Sequence, residues 1–264
     1  MLKIVLYALS AYLSIVVFFY FIQRQLIYYP EQNFPTPAHA GVPEMQVIQL
    51  MTSDNFLLKA WYRPPVDPNL PTLVYFHGNA GHIGHRALMM APFLRKGYGV
   101  LLLTYRGYSG NPGKPSEEGL YRDARSAMQF LIEEKIPNQC IVLYGNSIGA
   151  AVAIQMATEY EIAALVLQSP FTSLTDVGHV HYPFFPIKWL IKDRYDSVAK
   201  GKKIQAPVLI LHGANDWIIP TKLSQKLFLT LPEPKEAHYI PNRGHNDLFE
   251  PKIVISFIEK YACR

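Results

Sequence analysis

Short continuous apolar runs recur along the chain, and each ends in a glycine or polar turn. Helical stretches such as the one from Glu117 to Glu134 separate these runs. Runs that are apolar on both faces are typical of parallel strands covered by helices on both sides. The pattern therefore predicts an α/β fold with a mostly parallel, twisted sheet. The runs are TLVYFHG, GVLLLTYRG, CIVLYGNS, AALVLQSP and APVLILHG.

Two further features frame this sheet. Before the runs, MQVIQLMTSDNFLLKAWYRPP predicts an antiparallel hairpin with its turn at Thr52 to Asn55. Later, the stretch from Phe171 to Lys203 breaks the strand and helix alternation, and we interpret it as a short helical cap inserted over the strand ends. Since ligands of parallel sheets bind at the carboxyl ends of strands, we expect the functional site at those turns. They are HGNAG, YRGYSG, GNSIG, SPFTS, HGAND and NRGHND.

The amino-terminal run from Ile4 to Ile22 has 19 residues and no charge. As a helix it is about 28 Å long, close to the hydrocarbon thickness of a bilayer. No small-residue cleavage site follows, so an uncleaved transmembrane anchor is favoured over a cleaved signal peptide. A buried core helix is disfavoured because no polar face marks a solvent side. Tyr28 and Tyr29 would suit the interfacial belt.

The charges that flank this run differ only slightly. Lys3 and the terminal amine lie on one side and Arg24 on the other, which favours an inside amino terminus with the globular domain outside. We therefore predict a single-pass anchor and connector over residues 1–29 and one α/β domain over residues 30–264, with the cap at 171–203.

Composition excludes some classes of protein. A chain of 264 residues that is 50% apolar throughout predicts one large domain. The formal net charge of +5 is scattered over few charges, which argues against a nucleic-acid-binding surface. Cys140 and Cys263 form neither a CxxC nor a metal-ligand pattern, and we interpret both as structural or incidental thiols.

The first candidate catalytic motif is Gly145-Asn146-Ser147-Ile148-Gly149. This G-x-S-x-G sequence follows an apolar run and opens an alanine-rich helix, the arrangement in which a strained turn exposes a nucleophilic serine. The glycines are needed because so tight a turn leaves little room for Cβ atoms. The same letters also allow a serine that only caps the helix.

A serine nucleophile needs a base and an acid that orients the base, in the chain order Ser, Asp, His for this arrangement. Asp216 follows a strand 69 residues after Ser147, and His245 lies 29 residues further on. Asp247 is the rival acid, but we expect it to be the N-terminal charge of the last helix. For His77 and His212 the expected role is hydrogen bonding within turns.

The oxyanion of an acyl-transfer intermediate needs two backbone N–H donors. Ile148, directly after the serine, is one candidate. The other comes from HGNAGHIGHR, where we choose Asn79 and keep Ala80 as the rival. Neither a phosphate-binding glycine motif nor a metal-ligand histidine spacing occurs, so we expect no metal and no cofactor.

Several segments together resemble the membrane-anchored α/β-hydrolase-domain proteins related to the fission-yeast cell-polarity hydrolase and its animal homologues. The resemblance covers nearly the whole chain and implies an α/β-hydrolase fold with a triad of Ser147, Asp216 and His245. It implies a serine hydrolase, in a group described loosely as esterase, thioesterase or serine-aminopeptidase-like. Some relatives remove palmitoyl groups from proteins, but they reach the membrane differently. Ser109 departs from a frequent glycine and affects loop shape. The segments are HGNAGHIGHR, YRGYSGNPGKPSEEGLYRDA, YGNSIGAAVA, SPFTSL, FPIKWLIKDRYDS, HGANDWIIP and GHND.

The cap carries aromatic and basic side chains whose roles stay open. Its aromatics either line an acyl pocket or pack the cap onto the sheet. Its basic residues either meet anionic headgroups or, as we favour, form a solvated face with Asp193 and Asp196. Outside the cap, Arg106 and Asp123 are interpreted as a structural pair. The aromatics are Phe171, Tyr182, Phe184, Phe185, Trp189 and Tyr195, and the basic residues are Lys188, Lys192, Arg194, Lys200, Lys202 and Lys203.

These features predict a membrane-anchored serine hydrolase that cleaves an acyl ester or thioester of a small-molecule or lipid substrate. One alternative is an aminopeptidase-like serine peptidase that uses the same three residues. Another is a non-catalytic ligand-binding or scaffold protein on a hydrolase fold.

Overall fold

The computed structural model describes residues 1–264 as nine α-helices, one 3-10 turn at Asn138–Cys140 and ten strands. The strands are β1 (Tyr29–Pro30), β2 (Gln46–Met51), β3 (Leu57–Arg63), β4 (Thr72–Phe76), β5 (Ala80–Gly81), β6 (Gly99–Leu102), β7 (Ile141–Asn146), β8 (Ala164–Gln168), β9 (Val208–Gly213) and β10 (Lys235–Ile240). The helices are α1 (Leu2–Ile27), α2 (Gly84–Arg95), α3 (Glu117–Glu133), α4 (Ile148–Ala157), α5 (Leu174–His181), α6 (Ile187–Leu190), α7 (Ser197–Gly201), α8 (Thr221–Phe228) and α9 (Pro251–Tyr261).

Eight strands form one sheet in the order β10-β9-β8-β7-β4-β6-β3-β2. Six of them are parallel, and the β2–β3 hairpin extends the sheet antiparallel beyond β6. The predicted parallel sheet and hairpin are therefore confirmed, and the five apolar runs are β4, β6, β7, β8 and β9. The sixth parallel strand, β10, lies at the edge with every residue partly exposed, so it needs no continuous apolar run.

The core lies on both faces of this sheet. On one face the buried apolar side chains come from α3, α4 and α8, and on the other they come from α2 and α9. The alanines of α4 let this helix lie directly against β7, where the serine turn begins. Two helical layers thus fix the strand ends at which the candidate residues lie.

Two elements lie outside these layers. The helix α1 extends the apolar run to Leu2 and Ile27, and Val16 is its one buried residue. It is long and apolar enough to cross a bilayer. The segment between β8 and β9 contains α5, α6 and α7, so the predicted helical cap is present.

The two cysteines form a disulfide, which corrects the expectation of separate thiols. Cys140 ends the 3-10 turn before β7, and Cys263 follows α9 near the carboxyl terminus, at a sequence separation of 123. Their pairing required knowing that α9 returns the chain to the start of β7. The spacing of two isolated cysteines does not contain that information.

Candidate active site

Ser147 occupies a strained turn between β7 and α4, with φ of 54° and ψ of −118°. A side chain rarely adopts this left-handed region without support from its surroundings. The flanking glycines supply that support. A Cβ atom on Gly149 would overlap the Phe76 carbonyl oxygen, and one on Gly145 would overlap the Gly149 carbonyl oxygen. Only glycine lets the turn approach β4 this closely.

The Ser147 hydroxyl does not cap the helix that follows it, since no side-chain hydrogen bond reaches the first turn of α4. Helix capping therefore does not explain this serine. Its backbone N–H donates to the Gln168 carbonyl oxygen at 2.9 Å, which ties the turn to the end of β8.

Asp216 and His245 meet, as predicted, at the ends of β9 and β10. His245 Nδ1 donates to Asp216 Oδ2 at 2.7 Å, which leaves Nε2 free to accept a proton. Beneath this pair the loops after β9 and β10 approach each other closely. A Cβ atom on Gly213 would overlap the carbonyl oxygens of Arg243 and Gly244, so glycine is needed there.

The Asp216 carboxylate is buried and fully engaged. Burial by itself would raise the pKa of Asp216, but hydrogen bonds from His212 and His245 and from the Ile219 N–H outweigh it and hold that pKa below the usual range. Its Oδ1 accepts from the N–H groups of Ile218 at 3.0 Å and Ile219 at 2.8 Å. The carboxylate stays ionised and fixed in place.

His212 has a contact with Asp216 that the sequence did not reveal. It donates from Nε2 to the Ile219 carbonyl oxygen at 2.8 Å, which is the turn role expected for it. The same nitrogen also lies 3.2 Å from Asp216 Oδ2. Asp216 thus has two histidine partners, and the four-residue spacing from His212 was the only available signal.

Asp247, the rival acid, forms no hydrogen bond or ion pair with His245. It accepts a hydrogen bond from the Gly244 N–H at 2.7 Å and is largely exposed. The expectation that it would enter the last helix is also wrong, because α9 begins at Pro251. Asp247 instead closes the turn that carries His245.

The loop after β4 passes directly beside the serine. A Cβ atom on Gly78 would lie 3.5 Å from Ser147 Cβ. The Asn79 carbonyl oxygen accepts from the Tyr29 N–H at 2.8 Å and from the Tyr108 hydroxyl at 2.7 Å, and the Asn79 side-chain amide donates to the Ile27 carbonyl oxygen at 2.8 Å. The backbone N–H groups of Asn79 and Ile148 donate no hydrogen bond within the protein.

His77 is a structural residue of this loop. It is buried against the rings of Tyr105 and Tyr108, and its Nδ1 donates to the Gly78 carbonyl oxygen at 2.7 Å. Burial lowers the pKa of His77 to about 3, so the ring is neutral near pH 7. The expected turn role agrees with these contacts.

One histidine cluster brings together groups of metal-ligand type that the sequence spacing did not indicate. Glu31, His82 and His85 place such atoms within 4.8 Å of one another. His82 Nδ1, however, accepts a hydrogen bond from the Gly84 N–H at 3.1 Å. The neutral ring therefore carries its proton on Nε2, the atom that faces Glu31, and this nitrogen has no lone pair for a metal.

The cap aromatics fall into three groups, one of which agrees with the packing interpretation. Phe171 and Tyr195 are buried in the core, as the packing interpretation predicts. Phe185 packs against α1, where its ring lies 5.5 Å from that of Phe19. The remaining three are exposed. They are Tyr182, Phe184 and Trp189.

Asp193 is buried beneath the end of α1, which corrects its assignment to a solvated cap face. Arg24 donates to both of its oxygens at 2.8 and 2.9 Å, and the Tyr28 hydroxyl lies 3.2 Å from Oδ2. Asp193 also accepts from the Glu117 N–H at 3.1 Å, at the start of α3. Tyr28 is thus buried under the cap, and the expectation of an interfacial position is wrong for it.

The structure also shows the contacts of the Arg106–Asp123 pair and of Ser109. Arg106 and Asp123 form a buried pair, with Nε donating to Oδ1 at 2.9 Å, and Asp54 extends this pair on the other side of the guanidinium. Ser109 takes a positive φ of 51°, the conformation that glycine adopts easily, and its hydroxyl accepts from the Ile83 N–H at 3.1 Å. The serine thus keeps the loop shape and adds a hydrogen bond.

The sheet order, the serine turn and the flanking helices define a protein of the α/β-hydrolase fold. A solved esterase structure from Pyrococcus furiosus shares this fold, with a TM-score of 0.71 and 20% identity over 89% of this chain and 98% of that one.

Sequence comparison gives the family. The model described as serine aminopeptidase, S33, matches residues 67–193 and 187–252, and the chain belongs to this hydrolase family. An uncharacterized protein of Mycobacterium tuberculosis is 39% identical over 253 residues, which cover 94% of this chain and 90% of that protein. The protein bem46 of Schizosaccharomyces pombe is 36% identical over 251 residues, which cover 87% of this chain and 82% of that protein. The resemblance to the fission-yeast hydrolase is confirmed.

Proposed function

We propose that this chain is a membrane-anchored serine hydrolase that cleaves an acyl ester or thioester of a small-molecule or lipid substrate. Residues 1–29 serve as anchor and connector, and residues 30–264 form the catalytic domain with its cap at 171–203. Ser147 is the nucleophile, His245 the general base and acid, and Asp216 the group that orients the imidazole.

In the first half of the reaction Ser147 Oγ attacks the acyl carbonyl carbon while its proton passes to His245 Nε2. That hydrogen bond is absent in the free protein and forms as the acyl group binds, since catalytic contacts are often long before substrate arrives. Asp216 stabilises the imidazolium. The proton then goes to the leaving alcohol or thiol, and an acyl-enzyme remains. Water attacks this ester with His245 again as the base, and the free acid leaves.

The oxyanion of each tetrahedral intermediate is bound by the backbone N–H groups of Asn79 and Ile148. Both are free of other partners, as such donors must be. Asn79 is favoured over Ala80 because hydrogen bonds to its carbonyl and to its side chain fix it on both sides. A donor held in this way needs no reorganisation during the reaction.

The observation that carries the proposal is the backbone of Ser147. It has a positive φ directly before a helix, and it is flanked by two glycines whose hydrogens lie against carbonyl groups. Such strain is typical of a nucleophile turn, and the His245–Asp216 pair supplies the groups that a nucleophile requires.

A peptidase on the same residues is the second candidate, because the matching family model is described as serine aminopeptidase. An aminopeptidase needs an unpaired acid for the substrate's amino terminus. Asp193 is paired with Arg24, whereas Asp176 and Asp196 accept hydrogen bonds from the Thr172 hydroxyl and the Ala199 N–H. The cap thus offers single carboxylates rather than an acidic cluster for an amino terminus, and an ester or thioester needs neither.

The anchor is α1, with the catalytic domain on the outer side of the membrane. Support for this side comes from the charge difference between Lys3 with the terminal amine and Arg24. The Cys140–Cys263 disulfide adds to it, since disulfides persist mainly in oxidising compartments.

A panel of acyl esters and acyl thioesters of graded chain length, with aminoacyl amides beside them, tests the reaction class. We expect hydrolysis of esters or thioesters and none by Ser147→Ala. Turnover of aminoacyl amides alone would favour the peptidase, and equal turnover by wild type and Ser147→Ala would favour a protein without catalysis at this site.

A further inference from the structure

Three exposed aromatic side chains lie within one short segment of the cap, Tyr182–Trp189, which we call the cap tip. Their exposed fractions are 60% for Tyr182, 87% for Phe184 and 80% for Trp189. Single exposed apolar residues are common on protein surfaces, but three large aromatics in eight residues indicate an interaction surface.

The cap tip lies along α1. The Tyr12 hydroxyl donates to the Phe184 carbonyl oxygen at 2.9 Å, and the Phe185 ring lies 5.5 Å from that of Phe19. Further up the helix, Gln23 donates to the Leu190 carbonyl oxygen at 3.1 Å and accepts from the Lys192 N–H at 2.8 Å. The segment therefore follows the apolar helix from its polar end toward its middle.

The position of these contacts on α1 gives the depth of the cap tip. Tyr12 lies ten residues before Ile22, where the uncharged run ends. That separation is about 15 Å of helix, roughly half the hydrocarbon thickness of a bilayer. With α1 in a membrane, the cap tip must therefore contact the leaflet on the side of the catalytic domain.

The backbone of the cap tip limits how deep it reaches. Between α5 and α6 it is irregular, and irregular backbone is not tolerated where it faces lipid in the hydrocarbon centre. A tilted α1 lessens this conflict, because tilt reduces the depth of the tip and brings it nearer the boundary between headgroups and acyl chains. Aromatic and lysine side chains both favour that boundary.

Two lysines lie in the cap tip or directly after it. Lys188 belongs to α6 inside it, and Lys192 follows it with Nζ 4.1 Å from the centre of the Tyr20 ring. Neither lysine forms an ion pair, whereas Lys200 of the same cap is paired with Glu117. Unpaired lysines at this level are available for anionic phosphate groups.

We propose that the cap tip is a second membrane contact, inserted into the interface of the leaflet beside α1, with Lys188 and Lys192 at anionic headgroups. The partner is a phospholipid bilayer. This inference rests on the proposed anchoring by α1.

The test uses Trp189 fluorescence in the full chain. The variant Trp217→Phe leaves Trp189 and the buried Trp61, and the double variant Trp189→Phe/Trp217→Phe leaves Trp61 alone. Both are reconstituted into nanodiscs of phosphatidylcholine and phosphatidylglycerol, with or without lipids brominated near the headgroup or near the chain end. We expect headgroup-side bromine to remove about half of the Trp189 emission, chain-end bromine to remove less, and Trp61 to be unaffected.

Failure of the cap-tip contact and failure of the anchoring give different results. Protein that joins the nanodiscs but shows no Trp189 quenching beyond that of the double variant overturns the cap-tip contact alone. Protein that fails to join them overturns the anchoring and this inference with it. Labelling of Ser147 by a fluorophosphonate, measured on the same sample, reports on the catalytic proposal independently.

A charge variant tests the lysines. In the Trp217→Phe background, Lys188→Gln/Lys192→Gln should weaken quenching in anionic nanodiscs, while the matched pair Lys202→Gln/Lys203→Gln should leave it unchanged. Equal effects of the two pairs would overturn the assignment of Lys188 and Lys192 to headgroups.

Discussion

The side-chain amide of Asn79 donates a 2.8 Å hydrogen bond to the carbonyl oxygen of Ile27, the last residue of α1. The end of the apolar helix is therefore attached directly to the loop that passes beside Ser147. The adjoining Tyr29 N–H bonds to the carbonyl of the same asparagine. The position of the proposed oxyanion donor thus depends on the connector as well as on the sheet.

Replacing Asn79 by Ala should lower kcat roughly tenfold with little change in KM. The backbone donor remains but loses one of its supports, so the effect is smaller than complete loss of an oxyanion donor. Steady-state kinetics on the best ester or thioester checks this, with Asn69→Ala in an exposed loop as the control. An unchanged kcat in Asn79→Ala would contradict the positioning role.

Replacing Asp216 by Asn should lower kcat about 10⁴-fold, because the amide no longer holds the imidazole in the tautomer with a free Nε2. The protein should remain folded, since the shape of the side chain is kept. Circular dichroism beside the kinetics separates loss of function from loss of fold. Activity within tenfold of wild type would remove Asp216 from its proposed role.

His212 should contribute through Asp216. Removing its hydrogen bond to the carboxylate in His212→Leu is expected to cost about tenfold in kcat, comparable with one hydrogen bond to a charged group. The exposed His238→Leu is the control and should keep full activity. Should both variants behave alike, the second histidine partner would be without catalytic consequence.

The stability of the fold should depend on pH through His77. Its pKa is about 3 in the folded protein against 6.5 for a free histidine. Between these values the unfolded chain binds a proton that the native protein does not, so the free energy of unfolding falls as the pH decreases through this window. Above about pH 6.5 the contribution is complete.

The variant His77→Asn removes this titration and keeps a donor for the Gly78 carbonyl oxygen. Its free energy of unfolding should fall less steeply between about pH 6 and pH 4 than that of wild type, by up to 1.4 kcal/mol per pH unit. Denaturant titrations in detergent, with His238→Asn as the control, give both slopes. Identical slopes would show that His77 is not held neutral by the fold.

Removal of the disulfide should affect stability and spare catalysis. Cys263→Ser opens a link between positions 123 residues apart and should lower the free energy of unfolding by about 2–4 kcal/mol. The ester or thioester activity should stay within about twofold of wild type, because the bridge lies at the opposite ends of β7 and α9 from the site. Two alkylatable thiols in native protein purified without reductant would contradict the bridge.

The sequence predicted the sheet because its central strands are buried on both faces, which forces continuous apolar runs such as Thr72 to Phe76. It predicted the candidate residues because each ends a strand, where parallel strands bring side chains together. β10 was not recognisable in this way, since an edge strand tolerates the lysine, glutamate and histidine that it contains.

Other features depended on long-range packing. The burial of Asp193 requires Arg24 and the start of α3 to meet at one point, and no local pattern reveals such a meeting. The contact between His212 and Asp216 and the disulfide could not be predicted for the same reason. Each joins residues whose contact exists only after the helices and loops have packed on the sheet.

The most direct test of the account is the site at which a fluorophosphonate reacts. Mass spectrometry of the labelled, digested protein should place the adduct on Ser147, and Ser147→Ala should carry none. Ser169→Ala is the matched control, since Ser169 also has a positive φ directly after a strand and should not be needed for labelling. Full labelling of Ser147→Ala, or an adduct mapped to another residue of the wild type, would contradict the assignment of the nucleophile.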